Sequence, residues 1–418
     1  MFQFSRSPAS DLCMALPLIP NAVARRIFLQ RHALGEQPSG PAQGKALAVL
    51  IDRIGFVQVD SINTVERAHH MILWSRRQTY QPQALKRLLE RDRALWEHWT
   101  HDASILPVAL YGHWKHRFNR DRTRLVERWT GWQRNGFHEK FDEVLARVQD
   151  HGPVTSAEVG EGEVRGKGGW WDWHPSKAAL EYLWRVGELS VTRRDGFRKV
   201  YDLTERVIPE ASRLSVHDQD ETVNWASASA LDRLGFATSG ELAAYWGLIS
   251  PEDAKRWCRA ELAAGRLVEA EVEGHDGRRR VCVLWPATLA ETPPDPPTRL
   301  RILSPFDPAL RDRKRAEHLF GFRYRIEVFV PEPKRTFGYY VFPVLEGARL
   351  IGRIDAKAFR DAGALRVAAF WPEPGQRIGR SRQTRLETEL SRLARFAGCD
   401  SVELLPGWER ASIPNPHP

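Results

Sequence analysis

The stretch Gly235-Phe236-Ala237-Thr238-Ser239-Gly240-Glu241-Leu242 determines how the middle of this 418-residue chain is interpreted. A hydroxyl next to the start of an apolar run can cap a helix, and an acidic side chain three residues later can bond back to the cap. A second helical pattern covers Asp253 to Ala263. The segments Gly265-Arg266-Leu267-Val268 and Arg278 to Val283 flank a turn at Gly274-His275-Asp276-Gly277. The stretch therefore opens a unit made of a capped helix, a second helix and a hairpin.

The same order of elements occurs earlier in the chain. Thr155-Ser156-Ala157-Glu158 repeats the capped start, and Lys177 to Val186 repeats the second helix. Ser190 to Arg193 and Arg198 to Leu203 form the hairpin, with a tight turn at Asp195-Gly196. This order is that of a winged helix, so we predict two such units in tandem.

A more elaborate copy is predicted upstream, although its wing is not visible in the pattern. Asn21 to His32 and Lys45 to Ile54 have apolar residues at helical spacing. Phe56-Val57-Gln58-Val59-Asp60 then alternates apolar and polar residues as a short strand does. Because strand side chains repeat every two residues, Gln58 and Asp60 are expected on the same side.

The pattern changes after the proline-rich segment 292–297. Alternating or β-branched runs predict strands, and the final helix is amphipathic. The predicted elements are strands at Tyr324–Val330, Gly338–Leu345, Ala348–Asp355 and Ala364–Trp371 and a helix at Gln383–Phe396. The predicted fold class is α+β, with tandem winged-helix domains followed by a C-terminal β-barrel-like domain. The expected domains are an N-terminal helical and winged-helix domain at 15–145, a second winged helix at 146–212, a third at 213–291, and the β-barrel-like domain at 298–412.

Composition narrows the choice of partners. The 62 Lys and Arg against 53 Asp and Glu give a net charge of +9, which favours a polyanion, although a solvated basic surface explains the excess equally well. Four scattered cysteines give neither a disulfide framework nor a zinc-ligand spacing. With no signal peptide and no apolar run long enough to span a bilayer, we expect a cytoplasmic protein without membrane contact, metal or cofactor. We expect it to be monomeric.

Several motifs together resemble those of the YcaQ/AlkZ-type winged-helix DNA glycosylases, which repair interstrand crosslinks. The resemblance covers about residues 20 to 410. The matching stretches are Phe56–Asn63, Trp99-Thr100-His101, Gly169–Trp173 with Lys177, Arg198–Leu203, Ser304–Pro308, Asp312–Glu317 and Pro333–Tyr339. The family motif is Gln, an apolar residue, then Gln or Asp. With Asp60 at the third position, this sequence resembles the YcaQ-like branch of the family, whereas AlkZ-like relatives carry a second Gln. The resemblance implies tandem winged helices and a β-barrel around duplex DNA. It also implies monofunctional hydrolysis of the N-glycosidic bond of N7-alkylated purines, including crosslinks.

Gln58 and Asp60 are the predicted catalytic residues. N7-alkylation makes the purine a good leaving group, so the remaining task is to stabilise positive charge on the sugar and to activate water. A carboxylate suits that task, and an amide can hold the water because it donates and accepts. The alternative is that the two residues form a polar strand edge or helix cap, next to Ser61 and Asn63. No lysine lies next to the pair, so lyase chemistry is not expected.

The candidate DNA-binding residues are basic or apolar side chains near predicted turns. Phosphate-binding charge combined with an apolar probe suits contact with the DNA backbone or minor groove. For residues 193–198 the alternative is a solvated hairpin, and for the later basic clusters it is surface ion pairing with Asp312 and Glu317. The candidates are Arg193, Arg194, Phe197, Arg198, Arg313, Lys314, Arg315, Lys334 and Arg335. His101 is a candidate for supporting the catalytic pair without touching the substrate, and core packing of the neighbouring tryptophans around a hydrogen-bonded histidine is the alternative. His69-His70 lacks a third ligand at metal-binding spacing.

The expected partner is double-stranded DNA with alkylated or crosslinked bases. The competing function is a non-enzymatic winged-helix DNA-binding regulator, for which a bare winged helix would suffice. The two functions differ in their need for Gln58 and Asp60. A regulator has no use for that pair beside the DNA.

Overall fold

The computed structural model describes residues 15–130, 136–160 and 173–414, and these form a mixed α+β fold. Most of the Gly169–Trp173 motif therefore lies outside the described residues. The first part of the chain contains β1 (Leu18–Ile19), α1 (Asn21–Arg31), α2 (Gly44–Ile54), β2 (Val57–Gln58), α3 (Ala68–Trp74), α4 (Pro82–Glu90), β3 (Leu95–Trp99), β4 (Ala103–Pro107) and α5 (Tyr111–Thr130).

The sheet of this first part has the order β2-β4-β3, so the short strand pairs with the second strand of a hairpin. The predicted helices α1 and α2 are confirmed to within one residue. The predicted strand is shorter than expected, because it ends at Gln58 and Asp60 lies beyond it. The hairpin β3–β4, which turns at residues 100–102, is the wing-like element that the sequence pattern did not reveal.

The middle of the chain repeats this order of elements twice. The first repeat contains α6 (Phe141–His151), β5 (Val154–Thr155), α7 (Ser156–Val159), α8 (Pro175–Arg185), β6 (Leu189–Asp195), β7 (Arg198–Leu203), α9 (Thr204–Val207) and α10 (Glu210–Leu214). The second contains α11 (Gln219–Leu234), α12 (Ser239–Trp246), α13 (Pro251–Ala263), β8 (Val268–Glu273), β9 (Arg279–Leu284) and α14 (Pro286–Leu289). The expected caps are present, since Thr155 with Glu158 and Thr238 with Glu241 each form a capping box.

The sheets of the two repeats are built alike. In the first repeat the order β5-β7-β6 matches that of the N-terminal sheet. In the second repeat an isolated bridge between Ala237 and Val283 occupies the place of the short strand, and β1 adds in parallel on the other side of β8.

The C-terminal part is a curled half-barrel sheet with a long helix beside it. It contains β10 (Leu300–Ile302), α15 (Arg313–Phe320), β11 (Val341–Glu346), β12 (Arg349–Phe359), β13 (Ala364–Pro372), α16 (Arg380–Phe396) and β14 (Ser401–Leu404). The sheet order β10-β11-β12-β13-β14 leaves two edge strands, so the sheet is open and not a closed barrel. Three of the four predicted strands and the final helix are confirmed.

The predicted strand Tyr324–Val330 is wrong, because the segment forms no ladder. The carboxylate of Glu327 instead accepts backbone N–H bonds of 2.9 Å from Thr336, Phe337 and Gly338. A side chain thus supplies the acceptors that a neighbouring strand would have supplied, and the chain takes a looped path.

The N-terminal part packs directly on the C-terminal sheet. Apolar side chains of α2 and α3 share one buried cluster with those of β11, β12 and α16. Arg76, just after α3, forms a bidentate ion pair of 2.7 and 2.9 Å with Asp307, and both side chains are fully buried. The loop that follows β2 is bonded on both sides, since the N–H of Val59 donates to Ala103 of β4 and the N–H of Ala358 of β12 donates to the carbonyl oxygen of Thr64.

Candidate functional site

Gln58 is fixed by the turn of the neighbouring hairpin. It pairs with Ser104 in the register of β2 and β4, and its side chain is only 4% exposed. His101 Nε2 lies 3.0 Å from Gln58 Oε1, and Gln58 Nε2 donates to Asp102 Oδ2 at 3.3 Å. Both ends of the amide are therefore engaged, and the plane of the amide is defined.

His101 is neutral and carries its proton on Nε2. Burial, together with the charges of Arg311 and Arg117, lowers the pKa of His101 to about 3. A carbonyl oxygen can only accept, so Nε2 donates to Gln58. The hydroxyl of Thr100 lies 3.0 Å from Nδ1 and donates to it. His101 therefore contacts Gln58 on one side and Thr100 on the other, and its supporting role stays a prediction.

Asp60 is half-buried just beyond the end of β2. Its Oδ1 accepts the backbone N–H of Ile62 at 2.7 Å, and no other hydrogen bond or ion pair engages its carboxylate within residues 15–130, 136–160 and 173–414. Burial raises the pKa of Asp60 above its ordinary value, and the bond from Ile62 opposes that rise. The bond to Ile62 caps no helix, since the next helix begins at Ala68, and it uses only one of the two oxygens.

Asp102 is a second carboxylate at this site, and the sequence analysis did not single it out. Its Oδ1 accepts the N–H of Ala103 at 2.8 Å, and its Oδ2 accepts from Gln58. Burial raises the pKa of Asp102, and the charge of Asp60 raises it further. Its position directly after His101 was the available signal. That signal has meaning only once the hairpin is known.

Arg194 and Phe197 do not point outward as the sequence analysis expected. The guanidinium of Arg194 forms bonds of 2.7 and 2.5 Å with the buried carboxylate of Glu97. The Phe197 ring lies 4.5 Å from the guanidinium of Arg67 and 4.4 Å from that of Arg194, at a residue with φ of 74°. Both side chains attach the β6–β7 hairpin to the first part of the chain. Phe197 does so through the contact of its ring with the guanidinium of Arg67, and Arg194 does so through charge-assisted hydrogen bonds to Glu97.

Arg315 is likewise buried rather than available to a phosphate. It pairs with Glu241 at 2.9 Å and donates to the carbonyl oxygens of Leu234 and Phe236. This network joins α15 to the second middle repeat. Neither Arg194 nor Arg315 can therefore meet the DNA backbone without breaking a contact that supports the fold.

The other basic candidates lie closer to the surface. Arg193 is exposed and contacts Asp195 of its own hairpin at 3.1 Å. Arg313 and Arg335 are half-buried and donate to the carbonyl oxygens of Tyr324 and Val330. The exposed candidates besides Arg193 are Arg198, Lys314 and Lys334. The structure thus divides the predicted set into exposed, half-buried and buried cations.

Two other classes of site are absent from the part of the chain that the structure describes. Its residues contain no group of three or more His, Cys, Asp or Glu side chains placed to hold a metal ion. No helix among them combines the length and the apolar character needed to cross a membrane.

Comparison with known proteins identifies this chain as a hydrolase that acts on N-glycosyl bonds. The family model described as DNA glycosylase AlkZ-like matches residues 51–396. This chain belongs to the AlkZ-like DNA glycosylase family, so it is an enzyme with a DNA substrate and not a regulator. Its fold is similar to that of DNA glycosylase AlkZ from Streptomyces sahachiroi. The identity is 19%, the TM-score is 0.61, and the match covers 93% of this chain and 98% of that one.

Proposed function

We propose that the protein hydrolyses the N-glycosidic bond of N7-alkylated purines in duplex DNA, including those joined in interstrand crosslinks, with Gln58 and Asp60 as catalytic residues. The observation that carries the proposal is the amide of Gln58, which is held between His101 and Asp102 and lies two residues before Asp60. Few structural roles require a buried amide with both ends fixed beside two carboxylates whose pKa values are raised.

The proposed chemistry requires no general acid. When the bond between C1′ and N9 breaks, its electron pair moves to N9 and neutralises the positive charge of the alkylated ring. The sugar becomes cationic, and the ionised carboxylate of Asp60 stabilises it. Water then attacks C1′ and gives its proton to Asp60. Gln58 retains one N–H and one lone pair beyond its two bonds, which are sufficient to orient that water.

We further propose that the three repeats of helix, short strand, helices and hairpin are winged helices, within the boundaries predicted from the sequence, and that the half-barrel closes the structure around duplex DNA. The shared strand order of the sheets supports this assignment. In the first unit the short strand carries Gln58 and the wing carries His101 and Asp102. The catalytic group is thus assembled where the strand and the wing of one unit meet.

The structure favours the exposed cations as DNA contacts. We expect Arg198→Ala, Lys314→Ala and Lys334→Ala each to weaken binding to duplex DNA. Each should also lower the slope of log affinity against log salt by about 1 for every phosphate that the variant no longer neutralises. Titrations at several salt concentrations measure this slope. As the matched control, Arg194→Ala should lower thermal stability instead. An unchanged salt slope in all three surface variants would show that DNA binds elsewhere.

Asp102 should act as a positioning residue for Gln58. We expect Asp102→Ala to lower kcat by about 10- to 100-fold because a displaced group loses its alignment, with KM nearly unchanged. Asp102→Asn keeps one acceptor oxygen and should recover part of that loss. Single-turnover rates of base release separate the two variants. If Asn and Ala are equally impaired while both remain folded, the negative charge of Asp102 matters and its bond to Gln58 does not.

The function itself is tested by incubating the purified chain with duplexes that carry N7-methylguanine or a nitrogen-mustard crosslink, followed by cleavage of abasic sites in hot alkali. We expect abasic sites from both substrates, and separated strands from the second after both bonds are hydrolysed. Absence of base release from both duplexes, with binding intact, would overturn the proposal for this class of lesion.

A further inference from the structure

A cleft opens in the C-terminal part, beside the loop that carries Asp60. It has a volume of about 980 Å³ and is lined by the segment 332–340 and by residues of β12 and β13. This volume is within the range of small-molecule sites. Aromatic side chains line much of it, namely Phe337, Tyr339, Tyr340 and Phe359.

The cleft is continuous with the loop that carries Asp60. Thr64 of that loop lines the cleft, and its carbonyl oxygen accepts the N–H of Ala358 from β12 at 2.7 Å. Tyr340 also lines the cleft. Burial raises the pKa of Tyr340, and the nearby charge of Asp60 raises it further. The cleft and the proposed active site therefore share this loop.

Asp355 lies in the wall of the cleft without a partner. Across the described residues its carboxylate forms no hydrogen bond and no ion pair. Burial alone raises its pKa to about 6. Gly338 brings backbone close to it, since a Cβ there would lie 2.8 Å from Asp355 Oδ2. A half-buried carboxylate without a counter-charge is unfavourable, and a cationic ligand would relieve it.

The other charged groups of the cleft are already engaged or lie at its edge. Arg366 pairs with Glu403 at 2.7 Å, and Arg335 donates to Val330 and lies over Tyr339. Lys357 lies over the ring of Phe359, and Glu332 is exposed at the edge. None of these groups neutralises Asp355. A phosphate would be repelled by it, whereas an ammonium group would find a carboxylate among aromatic rings.

We propose that Asp355 binds a protonated amine carried by the alkyl substituent of the lesion. This inference rests on the proposed function, because it places the damaged base beside Asp60. It adds a determinant of specificity that the catalytic residues do not supply. The enzyme would then prefer bulky amine-bearing adducts over small neutral ones.

The test compares duplexes that carry N7-(2-aminoethyl)guanine or N7-(2-hydroxyethyl)guanine, which are similar in size and differ in charge. We expect the wild type to bind the amine duplex more tightly and Asp355→Asn to weaken that binding by about 10-fold, the scale of one hydrogen bond to a charged group. Binding of the hydroxyl duplex should change by less than about 2-fold, since its uncharged bond is weaker. Glu332→Gln, at the edge of the same cleft, is the control and should leave both affinities unchanged.

The pH dependence provides a second measurement. The preference for the amine duplex should be present above about pH 6 and be lost as the carboxyl of Asp355 is protonated below it. Equal weakening of both duplexes, or none of either, would overturn the proposal. Because affinity does not require base release, tight Asp355-dependent binding without hydrolysis would overturn the proposed function and leave this inference standing.

Discussion

Asp60→Asn is expected to lower the rate of base release by about 10²- to 10⁴-fold, the usual contribution of a positioned acid or base. The substitution keeps the size of the side chain and an oxygen for the N–H of Ile62, so the local turn should persist. It removes the negative charge that stabilises the cationic sugar and accepts the proton of water. Single-turnover assays on N7-methylguanine duplex measure the rate, and a binding titration measures the affinity.

Gln58→Ala should lower the rate of base release by a factor of similar order, for a different reason. It removes the amide that orients water and leaves His101 and Asp102 without their shared partner. DNA affinity should stay within about 2-fold of wild type in both variants, because backbone phosphates supply most of the binding free energy. Equal losses of rate and affinity would indicate that the pair is structural.

The activity of the wild type should also fall in acid. If Asp60 acts ionised, the rate declines as pH falls through its pKa in the folded protein, and burial raises that pKa above the ordinary value. The decline should therefore begin at a higher pH than for an exposed aspartate. Rates corrected for spontaneous base loss give the profile, and a flat profile down to pH 4 would exclude an ionised Asp60.

The alternation of the segment predicted only that Gln58 and Asp60 share a side, and the resemblance of residues 56–63 to the family motif selected them as catalytic residues, a role that stays a prediction. Neither signal pointed to Asp102, because its contact with Gln58 depends on a hairpin turn that brings residues 101 and 102 back to β2 across more than forty positions. Strand pairing over such a separation leaves no local periodicity. The same limitation explains why the hairpin β3–β4 was not predicted, since its strands consist mainly of aromatic and apolar residues without a Gly-containing turn.

The basic candidates show a second limit of sequence reasoning. Arg193 and Arg194 are adjacent and chemically identical, yet one is exposed and the other is paired with a buried glutamate. Because successive strand residues point to opposite faces, neighbouring arginines must differ, and only the packing partner decides which one faces inward. Glu97, the partner of Arg194, is on another element far along the chain. The pattern of charges therefore indicates that the partner is a polyanion, but it does not show which arginines contact that partner.

Arg76→Ala should destabilise the folded protein by about 3–5 kcal/mol, the range for removing one member of a buried ion pair. Arg76 and Asp307 are both fully buried, and their two bonds of 2.7 and 2.9 Å join the end of α3 to the segment before α15. Arg76 also donates to the carbonyl oxygen of His32. Removing it leaves the charge of Asp307 without compensation in a region closed to water. Denaturant unfolding measures the loss of free energy.

The double variant Arg76→Met with Asp307→Leu separates two effects of Arg76→Ala. One is the loss of the ion pair, and the other is the buried charge that is left without compensation. It removes both charges and should recover part of the stability, though not the bond from Ala309 to Asp307. Arg256→Ala is the matched surface control, since Arg256 pairs with Asp253 at 2.7 Å but is 58% exposed. That change should have an effect below about 1 kcal/mol. Equal effects at the two sites would mean that burial does not govern the strength of the Arg76 pair.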